Sequence, residues 1–390
     1  MTSSEEVFTC DITALATGGD GLGRVDGRVC FVPFAYPGDR VRARVVRRTP
    51  KAWWGALEAV ETPSPDRIPC LEGKTEADAA YVWGELAYDA QTVWKRRIVA
   101  DCLTRIGKIE VDLEWVADPA SRHGYRTRAE FHGDGRHVGY FAHGTREIVP
   151  VASCPLCHDA VNAVLAELGP ARLKGSVTVT AHPETGETML WASPGMGPYL
   201  SRRFANVNAP RDPRPRARFE VDGVPVVNGT FCQSSLTLNR LLVGTVREMA
   251  GDGASLLDLY CGNGNLSLGL ARAGVRVTGM DHAGAAVRAA AETGAGDYRT
   301  GDEAAMGALM AAGRWDTVVL DPPRAGAAAV VEAAAAAAQA RIVCVSCDPA
   351  TLARDLAAFA GMGWRVKRAV ALDLFPCTPH VETACLLERD

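Results

Sequence analysis

The sequence predicts an α/β protein whose C-terminal part is a mostly parallel sheet with helices on both faces, preceded by a small β-barrel and a mixed α+β central domain. Strands and helices alternate regularly from about residue 234 onward, which is typical of a parallel sheet covered on both faces. Residues 5–61 instead contain short strands between Gly and Pro turns, as in a small barrel. The length of 390 residues exceeds what one hydrophobic core usually supports. We therefore expect three domains, at residues 1–62, 63–225 and 226–390.

The composition is that of an ordinary globular protein, with 47% hydrophobic and 23% charged residues. No apolar run reaches the roughly 18 residues that cross a membrane. The first residues are acidic rather than apolar, so we expect neither a membrane span nor a signal peptide. The twelve cysteines are scattered along a long chain, which favours reduced thiols and a cytoplasmic location over a disulfide framework.

The N-terminal region combines barrel-like strands with a concentration of positive charge. Its clearest strands are Val7–Ala14, Val29–Phe34 and Val41–Arg47, separated by glycine and proline turns. A small barrel with a basic face often binds oligonucleotides, but any small barrel has a charged outer face, and both interpretations remain open. The net charge of −4 argues only weakly against a nucleic-acid partner, because the charge is uneven. The basic residues here are Arg24, Arg28, Arg40, Arg42, Arg44, Arg47, Arg48 and Lys51.

The central region has a mixed pattern. We expect helices at 85–107, ending with Gly107 as the C-cap, and at His158–Leu168. Several arginines accompany Tyr125 and Tyr140 and could grip phosphates and stack on bases, although taken alone the pattern is more typical of a solvated strand face. The expected strands lie near 125–132, 137–142, 176–182 and 187–193. The arginines are Arg122, Arg126, Arg128, Arg136 and Arg146.

The C-terminal region alternates strands with alanine-rich helices. Its last two strands, Arg365–Leu374 and Thr383–Glu388, are expected to form an antiparallel pair. The expected helices that flank the first strand are Leu236–Met249 and Leu266–Ala273. The earlier strands are expected at Ser255–Cys261, Arg276–Asp281, Asp316–Asp321 and Arg341–Cys347.

A glycine turn follows the first of these strands. Gly262 and Gly264 allow the backbone to approach a ligand closely. A dinucleotide-binding turn has a third glycine where this chain has Ser267, and Asp258 lies near the end of the strand. The turn is therefore more similar to an S-adenosylmethionine site than to a nicotinamide site.

Two acidic residues extend this candidate cofactor site. Asp281 ends the next strand, where its carboxylate could accept hydrogen bonds from a ribose diol. Asp302 lies where class I methyltransferases often hold the adenine amino group, although an ordinary loop acid fits the sequence nearly as well.

Cys347 stands where an apolar strand ends and a polar turn opens a helix. Ligands bind at the carboxyl ends of strands in open α/β sheets, and the dipole of the helix favours a thiolate. An isolated cysteine here would more often be an inert turn residue. Two companion motifs favour a chemical role: the run from Asp321 to Arg324 (Asp-Pro-Pro-Arg) upstream, and His380-Val-Glu382 downstream.

Taken together, the ordered motifs resemble the RNA 5-methyluridine methyltransferase family, whose members methylate carbon 5 of uracil in ribosomal or transfer RNA. The resemblance covers nearly the whole chain and identifies residues 5–61 with a TRAM domain, an OB-like RNA-binding barrel. It implies that the C-terminal part is a Rossmann-like class I methyltransferase domain. The motifs are Tyr125-Arg-Thr-Arg128, Gly139-Tyr140, Phe231-x-Gln233, Asp258 to Asn265, Asp321 to Arg324, Ser346-Cys-Asp-Pro349 and His380-Val-Glu382.

By this resemblance, five residues contact S-adenosylmethionine. One of them departs from the family, because the position of Asp281 is usually Glu, and the shorter carboxylate could still reach the ribose. The five are Gln233, Tyr260, Asn265, Asp281 and Asp321.

The resemblance also implies a reaction in which Cys347 and Glu382 have different roles. Carbon 5 of uracil is a poor nucleophile, and addition of the Cys347 thiolate to carbon 6 would turn the ring into an enolate with electron density on carbon 5. After methyl transfer the carbon-5 proton must leave before the thiolate can, and Glu382 is the candidate base. Asp321 could orient the cofactor or the uracil edge. The target base must leave its stack to reach such a pocket.

A second departure concerns metal. Many relatives hold an iron–sulfur cluster with four cysteines, but two of those positions here are Asp78 and Tyr81. Cys70, Cys154 and Cys157 alone cannot reproduce a four-thiolate site, so we predict no cluster and no metal, with zinc at the Cys-x-x-Cys pair as a minor alternative. The family landmarks after the missing cysteines are present as Trp83, Tyr88, Gln91 and Lys95.

The function predicted from the sequence is S-adenosylmethionine-dependent methylation of carbon 5 of a uridine in RNA by a monomer. We expect 23S ribosomal RNA as the target, because in the family a TRAM barrel accompanies ribosomal RNA enzymes more often than bacterial transfer RNA enzymes. The alternatives are a transfer RNA enzyme or a catalytically silent RNA-binding or assembly factor on the same scaffold. A small-molecule methyltransferase would leave the barrel unexplained.

Overall fold

A computed structural model of the protein describes residues 6–69 and 81–389. Its N-terminal strands close into the expected barrel, in the order β1-β2-β3-β5-β4. Alternate residues of the first strand, including Phe8, Cys10 and Ile12, point into the barrel core. The strands are β1 (Val7–Leu15), β2 (Gly21–Val25), β3 (Arg28–Val32), β4 (Arg40–Arg48) and β5 (Ala52–Thr62).

A helical segment follows the barrel. Helix α1 (Tyr88–Cys102) continues into one π-helical turn, Leu103–Gly107. The helix therefore ends at Gly107 as expected, but the residue in the left-handed conformation is Lys108, with φ of 55°. Gly107 is not the C-cap. Its role is packing instead, since a Cβ there would lie 3.1 Å from the backbone oxygen of Ala353.

The central domain is a six-stranded sheet in the order β12-β11-β10-β7-β8-β9. Helix α2 (Asp159–Leu168) covers one face, with Val161, Val164, Leu165 and Leu168 buried at helical spacing. The remaining elements are β7 (Arg128–Asp134), β8 (Val138–Phe141), β9 (Ile148–Pro150), β10 (Lys174–Ala181), β11 (Thr188–Ala192), helix α3 (Gly197–Leu200) and β12 (Val207–Asn208).

The C-terminal domain is an eight-stranded sheet in the order β17-β16-β15-β18-β19-β21-β20-β6. Helices cover both faces, as expected for this class: Leu242 and Val287 pack on one face, and Met306 and Leu352 on the other. Its strands are β15 (Ser255–Leu259), β16 (Arg276–Asp281), β17 (Asp297–Thr300), β18 (Trp315–Leu320), β19 (Ala338–Ser346), β20 (Trp364–Leu372) and β21 (Glu382–Arg389). Its helices are α4 (Asn239–Ala250), α5 (Leu268–Arg272), α6 (Gly284–Glu292), α7 (Glu303–Ala312), α8 (Val331–Ala337) and α9 (Pro349–Gly361).

The last strand in the chain, β21, inserts between β19 and β20 and is antiparallel to both. The edge strand β6 (Leu113–Val116) comes from far upstream and pairs in parallel with β20. The chain from α1 to β6, which the sequence boundaries place in the central domain, thus joins the C-terminal sheet. We keep the domain boundaries as a proposal.

Some elements were not predicted from the sequence. The hairpin β13 (Arg218–Val221) and β14 (Val224–Val227) and the strand β17 have four residues each, too few to show clear alternation. The helix expected at Leu266–Ala273 is shorter, because the glycine turn extends to Ser267. No helix within residues 6–69 and 81–389 is long and apolar enough to cross a membrane.

Candidate active site at the carboxyl ends of the sheet

A cavity of about 1190 Å³ opens at the carboxyl ends of the parallel strands, next to the central sheet. It is larger than most single-ligand pockets, which span roughly 300–1,000 Å³. Seven of the eight predicted site residues line it together, and only Asp302 does not. The seven are Gln233, Tyr260, Asn265, Asp281, Asp321, Cys347 and Glu382.

The glycine turn is tied to the neighbouring strand end by Asp281. The Gly262 amide donates to Asp281 Oδ2 at 3.0 Å, and the Ala283 amide donates to Oδ1 at 2.7 Å. Gly264 has φ of 78°, and a Cβ there would lie 2.7 Å from the side chain of Leu268. The turn therefore holds its backbone against the cavity in a conformation that requires glycine.

Ser267 explains why the third glycine is absent. Its hydroxyl donates to Asp258 Oδ2 at 2.5 Å and lies 2.9 Å from the Tyr298 hydroxyl. Asp258 is buried, and among the described residues its Oδ1 has no hydrogen-bond partner. Burial raises the pKa of Asp258 to about 7, against the lowering effect of the Ser267 bond.

Two predicted cofactor residues, Asn265 and Tyr260, are held by side chains that sequence reasoning missed, and a third, Asp302, is bonded to a backbone amide. Asn265 and Asn239 form a reciprocal amide pair, with N···O distances of 2.7 and 3.0 Å. The Tyr260 hydroxyl donates to Glu303 Oε1 at 3.0 Å. Asp302 caps helix α7, where its Oδ1 accepts from the Ala305 amide at 3.0 Å.

These features fit S-adenosylmethionine. A glycine turn with an open backbone lies beside Asp281, a carboxylate suited to a ribose diol, and nothing lies within 4 Å of a Cβ built on Gly262. Gln233 and Asp321 line the same cavity as this turn and Cys347. The cavity thus joins a cofactor compartment to a compartment that contains a thiol and a carboxyl.

Cys347 and Glu382 lie at neighbouring strand ends. Ser346 pairs with Thr383 across β19 and β21, so the next register positions are those of Cys347 and Glu382. Asp348 caps helix α9 by accepting from the Thr351 amide at 2.9 Å, which keeps Cys347 just outside the helix. The structure therefore brings together two residues that are far apart in the sequence.

The thiol is harder to ionise than we expected from its position before a helix. Burial, followed by the charge of Glu382, raises the pKa of Cys347, and the Arg324 guanidinium opposes this shift. Burial also raises the pKa of Glu382 well above its usual range, and the charge of Asp321 adds to it. Burial of the thiol thus opposes the thiolate that we expected its position before helix α9 to favour.

Two cysteines of the lost cluster motif, Cys154 and Cys157, lie in a buried polar group. Cys154, Cys157 and Tyr81 are buried, and the Tyr140 hydroxyl lies 3.4 Å from Cys157 Sγ. A hydrogen bond with Cys157 lowers the pKa of Cys154 to about 6. No set of three or more His, Cys, Asp or Glu suited to a metal occurs in the described part of the chain, and Cys70 and Asp78 lie outside it. The absence of a cluster stays a prediction.

Comparison with known proteins agrees with this geometry. Residues 224–297 and 307–390 match the tRNA (Uracil-5-)-methyltransferase family model, and residues 5–52 match the TRAM domain model. The 23S rRNA (uracil(1939)-C(5))-methyltransferase of Pseudomonas entomophila strain L48 is 31% identical, over 97% of this chain and 92% of its own. An uncharacterized RNA methyltransferase of Nitratidesulfovibrio vulgaris is also 31% identical, over 98% of this chain and 96% of its own.

One solved structure matches the whole fold. The Pyrococcus abyssi tRNA (uracil-54, C5)-methyltransferase, in complex with S-adenosyl-L-homocysteine, has a TM-score of 0.76 and 25% identity, covering 97% of this chain and 100% of that one. These matches confirm the predicted fold class, the enzyme class and the cofactor. The chain belongs to the S-adenosylmethionine-dependent RNA uracil-C5 methyltransferase family.

Proposed function

We propose that this protein methylates carbon 5 of a uridine in 23S ribosomal RNA, with Cys347 as the nucleophile and Glu382 as the base. The observation that carries the proposal is the strand pairing of Ser346 with Thr383, which puts Cys347 and Glu382 on one wall of the cavity that Asp281 and Asp321 also line.

Each residue has a defined part in the reaction. The Cys347 thiolate forms a bond to carbon 6 of uracil, and the displaced electron pair makes carbon 5 nucleophilic. S-adenosylmethionine supplies an electrophilic methyl group to carbon 5. Glu382 then takes the carbon-5 proton, the carbon–carbon double bond re-forms and the bond from Cys347 to carbon 6 breaks. The thiolate returns and the product is 5-methyluridine.

Arg324 has a supporting part. Its guanidinium lowers the pKa of Cys347 against the larger effect of burial, so it favours the reactive thiolate. The same positive charge in a secluded pocket suits the negative charge that develops on the uracil ring after addition. Arg324 lines the cavity together with Cys347, as this role requires.

For the cofactor we propose contacts from six residues. Asp281 accepts hydrogen bonds from the ribose, and Asp302 is the candidate for the adenine amino group through the carboxylate oxygen that does not cap α7. Asp321 orients the methyl donor or the uracil edge at the boundary between the two compartments. The remaining contacts come from the residues that line the cavity near the glycine turn, namely Gln233, Tyr260 and Asn265.

Ribosomal RNA is our proposed target over transfer RNA. Its support is the set of relatives named as 23S rRNA enzymes, which match nearly full length, together with the barrel. On the barrel, Arg47 lies 3.5 Å over the Trp54 ring, and Trp54 stacks on Phe31 at 5.3 Å. Such a cationic and aromatic surface suits single-stranded RNA. The solved transfer RNA enzyme keeps transfer RNA as the second candidate.

We also propose that the protein acts as a monomer in the cytoplasm. One chain supplies the thiol, the carboxyl and the cofactor compartment to a single cavity, so the reaction needs no second copy. Light scattering after size-exclusion chromatography tests this. A stable dimer whose dissociation abolishes activity would contradict it.

The target is tested by mapping 5-methyluridine in RNA from a strain that lacks the gene. We expect one uridine of 23S rRNA to lose its methyl group, and the wild-type gene, but not a Cys347→Ala gene, to restore it. Loss of 5-methyluridine from transfer RNA alone would instead favour the second candidate. Unchanged ribosomal and transfer RNA, with no binding of S-adenosylmethionine by calorimetry, would favour the silent scaffold.

A further inference from the structure

The loop between β20 and β21, residues 373–381, is the most constrained part of the substrate side of the cavity. Phe375 and His380 line the cavity, and the loop leads directly into Glu382. Within the loop, Cys377 has φ of 63°, a backbone conformation that L residues rarely adopt. A loop held in this way needs partners that fix it. Tyr125 is one of them, since its hydroxyl donates to the Pro376 carbonyl at 2.8 Å, and several others come from helix α1, which does not line the cavity.

Lys95 of α1 holds the start of the loop. Its Nζ donates to Asp373 Oδ1 at 2.6 Å and to the Phe375 carbonyl at 2.9 Å. Lys95 is fully buried and Asp373 is 1% exposed. The Tyr88 hydroxyl donates to the second carboxylate oxygen of Asp373 at 2.9 Å. Both oxygens of this carboxylate are thus directed by α1.

Gln91 holds the middle of the loop. Its Oε1 accepts from the Cys377 amide at 2.9 Å, and its Nε2 donates to the carbonyls of Leu86 at 2.7 Å and Trp83 at 3.2 Å. The Trp83 amide in turn donates to the Cys377 carbonyl at 3.2 Å. Both backbone polar groups of Cys377 are therefore satisfied, the amide by Gln91 of α1 and the carbonyl by Trp83, which precedes the helix.

The three α1 side chains act from one face of the helix. Positions 88, 91 and 95 are three and four residues apart, which puts them in one row on an α-helix. The barrel reinforces the far end of the loop, because a Cβ on Gly19 would lie 2.7 Å from the Pro379 ring and the Trp83 indole donates to the Gly19 carbonyl at 3.0 Å.

Stability alone is a weak reason for such a network. A buried ion pair is often no more stabilising than a well-packed apolar pair, because both charges must be desolvated. What the pair supplies here is a fixed direction at both oxygens of Asp373 and at the Phe375 carbonyl. These hydrogen bonds fix the position of the loop that carries His380 and precedes Glu382.

We propose that Tyr88, Gln91 and Lys95 are positioning residues of the active site, which fix loop 373–381 so that Phe375, His380 and Glu382 keep their places around the target uracil. The inference rests on the proposed function, because that function supplies the target uracil and the catalytic role of Glu382. It assigns a role to three of the family landmarks that the reaction itself leaves unused.

The test compares variants of the full-length protein. Lys95→Met is combined with Asp373→Leu so that no lone charge stays buried, and Gln91→Leu is compared with Gln91→Glu, which has the same shape but lacks the amide donor. Val93→Ala is the control on α1, since Val93 is 61% exposed and faces away from the loop. For each variant we measure kcat, KM for RNA, binding of S-adenosylmethionine and thermal unfolding.

We expect kcat to fall about 100-fold in the double variant, the scale expected for a small misplacement of catalytic groups. Gln91→Leu should also lower kcat, and Gln91→Glu should restore little of it, because a carboxyl at this position can accept from the Cys377 amide but cannot donate to both the Leu86 and the Trp83 carbonyls. Binding of S-adenosylmethionine and the activity of Val93→Ala should stay at the wild-type level. Wild-type kcat in a folded double variant, or in Gln91→Leu, would overturn the proposal.

Two further measurements keep the outcome decisive. If the double variant does not fold, Gln91→Leu and Tyr88→Phe decide alone, and wild-type kcat in either would contradict a positioning role. Hydrogen exchange at the Cys377 amide reports how firmly the loop is fixed and does not depend on catalysis. We expect faster exchange in Gln91→Leu than in the wild type. If the wild type methylates no RNA and the Cys377 amide still exchanges faster in Gln91→Leu than in the wild type, the proposed function is wrong. The role of α1 in fixing the loop would then still hold.

Discussion

The pairing of Ser346 with Thr383 across β19 and β21 places Cys347 opposite Glu382, at the wall of the cavity that both residues line. β21 is the last strand of the chain, yet it inserts beside β19 rather than at the edge of the sheet. The proposed nucleophile therefore directly follows one strand, and the proposed base begins its antiparallel neighbour. Both groups are desolvated by the same wall of the cavity, and burial is the first cause of the raised pKa of each.

The rate of methylation should rise with pH. The pKa of Cys347 is raised, so its reactive thiolate is scarce at neutral pH and becomes more abundant as the pH increases. The pKa of Glu382 is raised as well, and only its deprotonated form can accept the carbon-5 proton. Single-turnover rates between about pH 6 and 9 check this. A rate that is flat or falls across that range would contradict the assignment.

Replacing Arg324 should move that profile. Arg324→Met removes the positive charge that opposes the raised pKa of Cys347, so the profile should shift to higher pH. Alkylation of the Cys347 thiol by iodoacetamide, followed against pH, reports the shift without RNA. Arg354→Met is the control, because Arg354 pairs with Asp355 outside the cavity. Identical alkylation profiles for Arg324→Met and the wild type would refute the role.

Removing the base should trap an intermediate. Glu382→Gln leaves the carbon-5 proton in place after methyl transfer, so the bond from Cys347 to carbon 6 persists and a methylated covalent complex accumulates. Turnover should fall about 10²–10⁴-fold, the usual contribution of a positioned base. Denaturing gels with radiolabelled methyl groups detect the complex. Glu388→Gln, on the same strand but outside the cavity, should turn over normally, and rapid turnover by Glu382→Gln would exclude this base.

Asp258 should make the protein less stable as the pH rises. Its folded-state pKa is raised to about 7, whereas an unfolded Asp titrates near 3.9. Between these values the folded protein binds more protons than the unfolded chain, so the free energy of unfolding falls with increasing pH. Asp258→Asn should therefore gain stability relative to the wild type from pH 5 to about pH 8. Urea unfolding measures this, with exposed Asp252→Asn as the control. If Asp258→Asn and the wild type differed in free energy of unfolding by the same amount at pH 5 and at about pH 8, the prediction would be wrong.

The fold was largely predictable because its signals are local. Long buried strands such as β15 and β19, and the glycine turn between β15 and α5, leave clear patterns in the sequence. The order in which the strands pair is a tertiary property, and it leaves no pattern in the sequence. Nothing in residues 113–116 shows that β6 would pair with β20.

The candidate site was predictable in its residues more than in its environment. The residues stand in motifs at strand ends, so their convergence could be expected. The raised pKa of Cys347 could not, because it depends on burial and on Glu382 across the sheet. Asp302 is a case in which the position in the chain did not reveal the local role of the side chain. Its position suits an adenine contact, while its side chain caps α7. The supporting residues Asn239 and Glu303 carry no motif that distinguishes them from other polar residues.

The most direct measurement is covalent trapping of Cys347 with RNA that contains 5-fluorouracil, in the presence of S-adenosylmethionine. Fluorine cannot leave carbon 5 as a proton does, so the enzyme should remain bonded to the RNA as a complex that survives denaturation. We expect this complex with the wild type and with Cys344→Ala, a buried thiol on the same strand, and none with Cys347→Ala. An undiminished complex with Cys347→Ala would show that another residue is the nucleophile.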